Sequence, residues 1–311
     1  MKERSILFVC NGNVFRSMSA EYLFKKYLRE NKISGWKVGS AGITARPQDI
    51  RLKTIDILED LGVKKIKHKQ RKLTKKILDD YDIIVAMSTD HFDIIKNKFN
   101  YKNVILFSEL AENKSIPILD IDEEIKNRDI RKLKRNKKSV NRKISRTIKY
   151  IEKNIPNLFK NASERYYLFV DFVNKKILHR NGFPFIKLYE TKNTITFMSL
   201  DIPSKEDGHI LIIPKKRYED FSDIPKNVLS ELTYSIKRIG NALKLEHGGY
   251  NVLLNNGRDA GQYIFHSHFH MIPRRKKDGI EIEEWINKKM SKKDFIKINK
   301  NIKKKIDSVN V

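Results

Sequence analysis

The sequence predicts an α/β unit on a parallel sheet, followed by an α+β unit with an antiparallel sheet. Three observations carry this prediction. In the first half, short apolar runs at 6–9, 83–87 and 104–107 alternate with stretches of helical periodicity, the pattern of βαβ units. In the second half, strand-like runs cluster around one long helical stretch, which fits an antiparallel sheet with a helix on one face. The length of 311 residues suits two cores, each of about 150 residues.

Taken in order, residues 6–9 read as the first strand, and an amphipathic helix begins near Ser17. Helices near Asp49, Thr89 and Val140 alternate with strands at 83–87 and 104–107. Beyond residue 160 the strands fall at 194–199, 209–213, 250–254 and 265–272, with a helix over 226–244. The division is drawn there, giving units 1–160 and 161–311, and no internal repeat is found. The tail opens with a capping box, Ser291 with Asp294, and places Phe295, Ile298, Ile302 and Ile306 at helical spacing, so it is read as a basic helix packed on one of the units.

Charge is concentrated. The chain has 65 Lys plus Arg against 38 Asp plus Glu, a net +27. Residues 126–160 hold 14 basic and 2 acidic side chains, and residues 287–311 hold 9 and 2. These segments are candidates for weak contact with nucleic acid or another polyanion, although few aromatics are interleaved to stack single-stranded bases. No apolar run approaches the ~20 residues of a membrane span, and Met1-Lys-Glu-Arg leads straight into a core strand rather than a signal sequence. With one cysteine and no disulfide framework, the expected compartment is the cytoplasm. A single thiol also excludes chemistry that hands a disulfide along two or three cysteines of one chain.

The sole cysteine, Cys10, opens the stretch Asn11-Gly12-Asn13-Val14-Phe15-Arg16-Ser17, between a strand end and a helix start. Five residues between Cys and Arg let the backbone curl so that its N–H groups surround a tetrahedral oxyanion, and the helix N-terminus adds partial positive charge. The same field favours the thiolate that attacks phosphorus. Arg16 supplies a planar clamp for two phosphoryl oxygens, Ser17 can donate to the sulfur, and Gly12 and Asn13 tolerate a left-handed backbone.

A second centre lies at His266, His268 and His270, three of the eight histidines within five residues. On a strand, alternation places the three imidazoles on one face and Ser267, Phe269 and Met271 on the other. Such a face suits a phosphate, and His-x-His is equally a natural pair of zinc ligands.

The Cys10 loop, followed by Val38-Gly-Ser40-Ala41-Gly42, His68 and the run 82–87, resembles the low-molecular-weight protein tyrosine phosphatases over residues 1 to 160. The resemblance implies a flavodoxin-like fold and hydrolysis of a phosphorylated protein or small aryl phosphate through a phosphocysteine at Cys10, with Arg16 and Ser17 catalytic and Asn11 to Phe15 holding phosphate. It also implies a general acid on a later loop, where Asp120 is the first choice and Asp122 the second. Neither precedes a proline, and the aromatic residues that usually wall the substrate ring are missing. Val14 fits an aryl phosphate better than a guanidino phosphate, and Phe15 stands where many relatives carry a second cysteine.

Asp201, Gly208-His209, Pro214-Lys215, Asn255, Gly261-Gln262 and the three clustered histidines resemble the histidine triad (HIT) family over residues 166 to 285. The resemblance implies that His268 attacks the α-phosphorus of a nucleotide to form a nucleotidyl-histidine. It places His266 and His270 on either side of that ring, His209 at the anion pocket, Asn255 and Gln262 as amide donors to the phosphoryl or leaving group, and Asp201 at the ribose. It implies dimerisation through this unit, and neither cofactor nor structural metal is expected, because the paired-cysteine knuckle is replaced by Tyr166-Tyr-Leu-Phe-Val-Asp-Phe. Arg217 replaces a histidine and Tyr263 a small hydroxyl residue, so the outer pocket is altered. The leading expectation is a bifunctional phosphorus-bond hydrolase. The alternatives are a nucleic-acid-directed enzyme acting on adenylated ends, and a fusion in which the phosphatase half only binds phosphate.

Overall fold

The computed structural model describes residues 4–101, 103–118, 120, 137–177, 179–180, 183–201, 203, 208–282 and 290–308. Two principal sheets form, one parallel and one antiparallel, as the periodicities predict. The first runs β2-β1-β3-β4, with β1 (Arg4–Cys10), β2 (Trp36–Gly42), β3 (Ile83–Ala86) and β4 (Val104–Leu106) all parallel. Helices α1 (Arg16–Glu30), α2 (Leu52–Asp60), α3 (Lys75–Asp79), α4 (Thr89–Lys98) and α5 (Phe107–Glu112) connect and cover it. Both faces of a parallel sheet are buried, so β1 is apolar at successive positions rather than at alternate ones. Ile6, Phe8 and Cys10 face one core, while Leu7 and Val9 face the other.

A single helix, α6 (Lys137–Val173), serves both sheets. Ile144, Ile148, Ile151, Ile155, Leu158 and Ala162 recur every three or four residues and are buried with the first core against α1, α2 and α5. Pro156 removes one main-chain donor without ending the helix. Farther along, Leu168, Phe169 and Phe172 pack instead with Ile195, Phe197, Leu211 and Ile213 of the second sheet.

The second sheet has the order β10-β11-β9-β8-β7, where β7 is Lys187–Glu190, β8 Thr194–Met198, β9 Ile210–Pro214, β10 Gly249–Leu254 and β11 Phe269–Arg274. A two-stranded ribbon, β5 (His179–Arg180) with β6 (Phe183–Pro184), precedes it. Helix α7 (Lys226–Leu243) covers the face opposite α6, where Ile212 and Met271 meet Val228 and Leu232. The sheet is therefore clad by helix on both sides, with room left beside α6.

Four local expectations are corrected. The strand predicted to reach 107 stops at Leu106, because Phe107 begins α5. The strand predicted from 265 begins only at Phe269. Its early main-chain donors are engaged elsewhere, since Phe265 N donates to Arg165 O at 2.6 Å and Ser267 N to Tyr218 O at 2.6 Å. Gly12 does not take the left-handed conformation that Asn13 does, with φ 54°; at Gly12 the missing side chain instead admits Gln48, whose Nε2 would lie 2.8 Å from a Cβ. The tail forms α8 (Lys292–Asp307), capped by Ser291 accepting from Asp294 N, but packs on nothing among the described residues, and Phe295, Ile298, Ile302 and Ile306 are exposed. Among the described residues no helix is long and apolar enough to cross a membrane.

Candidate active sites

The first site is built where β1 ends and α1 begins. Cys10 is buried on the strand's last position, Arg16 opens the helix, and the intervening residues form the turn. Cys10 Sγ lies 2.9 Å from Ser17 Oγ, and Asn13 Nδ2 donates to that hydroxyl from 3.1 Å. Asn13 is the hub of the loop. Its Nδ2 also donates to Ser40 Oγ at 2.7 Å, its Oδ1 accepts from Arg71 N at 2.9 Å, and its carbonyl accepts from His68 Nε2 at 2.7 Å. Burial holds His68 below the ordinary imidazole range, consistent with a neutral ring donating through Nε2. Ser40 in turn donates to Glu21 Oε2 at 2.5 Å and accepts Arg71 at its carbonyl.

Close approach of β2 makes this bracing possible. A Cβ at Gly42 would lie 2.4 Å from Asn11 O and 2.8 Å from Asn13 N, both main-chain atoms. Ser40, Glu21 and Arg71 carried no assigned role in the sequence, although Ser40 and Gly42 sit inside the stretch that marked the resemblance.

A cavity of about 550 Å³ opens before the thiol, lined by Cys10, Asn11, Gly12, Val14, Phe15 and Asp120 among others. Arg16 is fully buried beneath it, donating from Nη1 to Ile118 O at 2.7 Å and from Nη2 to Asp120 Oδ2 at 2.6 Å. Asp120 thus stands at the site, whereas Asp122 lies outside the described residues. His91, which sequence reasoning missed, is buried with Nδ1 2.8 Å from Ser88 Oγ; burial, then the Arg16 charge, push it down to about 3.

The second site sits between α6 and the antiparallel sheet, in a cavity of about 370 Å³ lined by His268, His270, His209, Asn255, Asp201 and Tyr263 together with side chains of α6. His268 Nδ1 donates to His266 O at 2.6 Å, which leaves Nε2 as the nitrogen with a lone pair. His209 Nδ1 donates to Asp201 O at 2.6 Å, and His209 Nε2 lies 2.9 Å from His270 Nδ1. With neutral rings, the first bond makes His209 Nε2 the acceptor and His270 Nδ1 the donor. Burial keeps all four imidazoles below their ordinary range and takes His266 and His270 to about 3.

The three clustered imidazoles do not share a strand face, because only His270 lies within β11. His268 and His270 remain neighbours, with ring centroids 4.8 Å apart. His266 is turned toward Pro214, its Nε2 donating to that carbonyl at 2.7 Å, so it acts on His268 through its own main chain. Gln262 is likewise away from the cavity, its Oε1 accepting from Gly257 N at 2.8 Å and its Nε2 donating to Glu219 O at 2.9 Å. Arg217 donates to Phe265 O at 2.9 Å and so braces the segment before the histidines. Among the described residues no group of three or more metal-ligating side chains is set to hold an ion.

Helix α6 is the contributor the sequence reading left without a role. Glu164, Leu168 and Phe169 line the nucleotide-sized cavity, and Phe169 meets the rings of His266 and His268 edge-on at 5.8 and 5.3 Å.

A family model described as low molecular weight phosphotyrosine protein phosphatase matches residues 5–165, and one described as HIT domain matches residues 183–277. An uncharacterised HIT-like protein of Methanocaldococcus jannaschii is 43% identical over 93 residues, covering 30% of this chain and 70% of the relative. The adenosine 5'-monophosphoramidase of Saccharomyces cerevisiae is 40% identical over 121 residues, covering 39% of this chain and 72% of the relative. Among solved structures, a YwlE mutant from Bacillus subtilis aligns at 23% identity with a TM-score of 0.43, covering 52% of this chain and 99% of that one.

Proposed function

Because the chain belongs to the low molecular weight phosphotyrosine protein phosphatase family and also carries a HIT domain, we propose that it is a bifunctional hydrolase whose two sites each pass through a covalent phosphorus intermediate. Both parent families are hydrolases. The observation that carries the proposal is shared by the two sites: each nucleophilic side chain lines a cavity, of about 550 Å³ and about 370 Å³, and makes a hydrogen bond that fixes it there.

In the first half, residues 1–160, the Cys10 thiolate attacks a phosphomonoester, with Ser17 donating to sulfur and the loop from Asn11 to Phe15 turning its N–H groups to the phosphoryl oxygens. Arg16 clamps two of those oxygens. Asp120 gives its proton to the departing oxygen and then takes one from the water that cleaves phosphocysteine. The acceptable substrates are a phosphorylated protein or a small aryl phosphate.

In the second half, residues 161–311, His268 Nε2 attacks the α-phosphorus of a nucleotide as the bond to the leaving amine or phosphate breaks, and the leaving group takes its proton from solvent. Water then releases the mononucleotide. Asn255 donates to the phosphoryl group, Asp201 receives the ribose, and the hydrogen-bonded His209–His270 pair fixes the wall of the pocket beside His268. The monophosphoramidase relative supports a nucleoside phosphoramidate as the substrate class.

The test is intact-mass spectrometry after rapid quench, once with p-nitrophenyl phosphate and once with adenosine 5'-phosphoramidate. A phosphoryl adduct lost in Cys10→Ala and an adenylyl adduct lost in His268→Ala are expected. Turnover without either adduct rejects the covalent mechanism for that half.

A further inference from the structure

The stretch from Asn255 to Gln262 reaches across to the other unit. Asn255 lines the nucleotide cavity, and the following residues form a short 3₁₀ turn, Arg258–Ala260, flanked by Gly257 at φ 87° and Gly261 at φ 80°. Two left-handed glycines leave such a stretch with more conformational freedom than any other pairing would. Gln262, bonded to Gly257 N and Glu219 O, and Asn256, which accepts from Phe221 N at 2.7 Å, hold the stretch within its own unit, and what ties it to the other unit is Arg258. Its Nη1 donates to both oxygens of Glu109 at 3.0 and 3.1 Å, and its Nη2 donates to Val104 O at 2.8 Å. Val104 begins β4 and Glu109 lies in the first turn of α5, both in the phosphatase-family unit. The guanidinium also lies 5.2 Å from the centroid of Phe265, a ring buried in that unit's core.

We infer that Glu109 and Arg258 are positioning residues for the nucleotide reaction: the phosphatase-family unit supplies a second anchor, beside those of Asn256 and Gln262, for the loop carrying Asn255. The pair touches neither the nucleotide nor the reacting atoms. Its side chains are about a quarter exposed, at 20% and 26%, so the net attraction in water is modest. The planar fork is the reason it matters, because three donor contacts from one side chain fix direction as well as distance. The inference rests on the reading of His268 as nucleophile.

The full chain is assayed with adenosine 5'-phosphoramidate for kcat and KM, and with p-nitrophenyl phosphate as a control on the other site. Glu109→Ala and Arg258→Ala are each expected to lower the nucleotide kcat about tenfold while KM changes less than about threefold, since misplacement acts on the transition state more than on ground-state binding. The p-nitrophenyl phosphate rate stays at the wild-type value. The exchange Glu109→Arg with Arg258→Glu recovers part of the lost kcat, the coupling that a direct pair requires. Arg258→Lys, which keeps the charge and loses the fork, falls between wild type and Arg258→Ala with an unchanged melting temperature.

Single variants with wild-type kcat overturn the inference, as does a double exchange no better than the worse single. Should Arg258→Ala lower both activities through general unfolding, Arg258→Lys decides: wild-type kcat in that variant rejects the positioning role. His268→Ala separates the two levels of argument. If it retains turnover, the nucleophile assignment fails; if it is inert while Arg258→Ala is fully active, only the clamp fails.

Discussion

Arg16 Nη2 donates to Asp120 Oδ2 across 2.6 Å, from a side chain fully buried beneath the Cys10 loop to one that lines the cavity above it. The loop's only guanidinium and the favoured acid are thus joined before any phosphate arrives. We expect a phosphate dianion entering the loop to compete with Asp120 for Arg16 and, once bound, to free the carboxyl to serve the leaving oxygen.

Asp120→Ala tests both halves of that relationship. Loss of the acid slows phenyl phosphate turnover by about 100-fold or more, and p-nitrophenyl phosphate much less, because the nitrophenolate leaves without a proton. Removing the competitor for Arg16 also tightens inhibition by inorganic phosphate. Steady-state kinetics on the two esters, with phosphate as inhibitor, reads both effects. Equal rate losses on the two esters remove Asp120 as the acid.

Gly42→Ala is expected to disable the first site alone. The added Cβ meets Asn11 O at 2.4 Å and Asn13 N at 2.8 Å, and neither main-chain atom can swing aside without reshaping the phosphate loop. A displacement of about 1 Å in such a loop costs on the order of 100-fold in rate. kcat/KM on p-nitrophenyl phosphate should fall by that order while phosphoramidate turnover holds. Wild-type phosphatase activity in this variant shows that the loop tolerates the contact.

How much of this was legible in advance follows from the range of each signal. Cys10, Arg16 and Ser17 lie within eight residues on one strand–helix junction, and the structure brings Cys10 and Ser17 to hydrogen-bonding range with Arg16 buried beneath the loop. Asn13 as the loop's hub was not legible, because its partners arrive from two distant segments, Ser40 from β2 and His68 with Arg71 from the stretch after α2. In the second half, alternation placed His268 beside His270 but put His266 on the wrong footing. Period-two reasoning assumes ladder bonding, and residues 265 and 267 spend their N–H groups on Arg165 and Tyr218. The role of α6 was hidden for a different reason. One amphipathic stripe packs the first core and its continuation walls the second cavity, so periodicity alone shows a helix and not two duties.

The sole cysteine has no thiol neighbour, and buried Phe15 occupies the adjacent turn. Hydrogen peroxide therefore carries Cys10 past sulfenic acid, since no second cysteine can trap that state as a disulfide. After excess peroxide without small thiols, dithiothreitol should leave the phosphatase inactive, with two or three oxygens retained in the intact mass. Glutathione present during oxidation should preserve recoverable activity as a mixed disulfide. Full recovery by dithiothreitol without glutathione contradicts this account.

Acid should destabilise the histidine-rich half before carboxylate titration begins. Burial takes His266 to about 3 in the folded chain, whereas an unfolded histidine titrates near ~6.5. The unfolded state therefore binds the extra proton first. Stability from the neutral buried ring is complete above about pH 6.5 and is lost as pH falls from there toward 3, at up to about 1.4 kcal/mol per pH unit for each such imidazole. The melting temperature of the wild type should drop between pH 6.5 and 5, a window above most carboxylate titrations. His266→Gln keeps a donor for Pro214 O and has no proton to gain, so it starts less stable at pH 7.5 but declines more gently. Parallel slopes for the two proteins across that window would show that His266 is not buried in its neutral form.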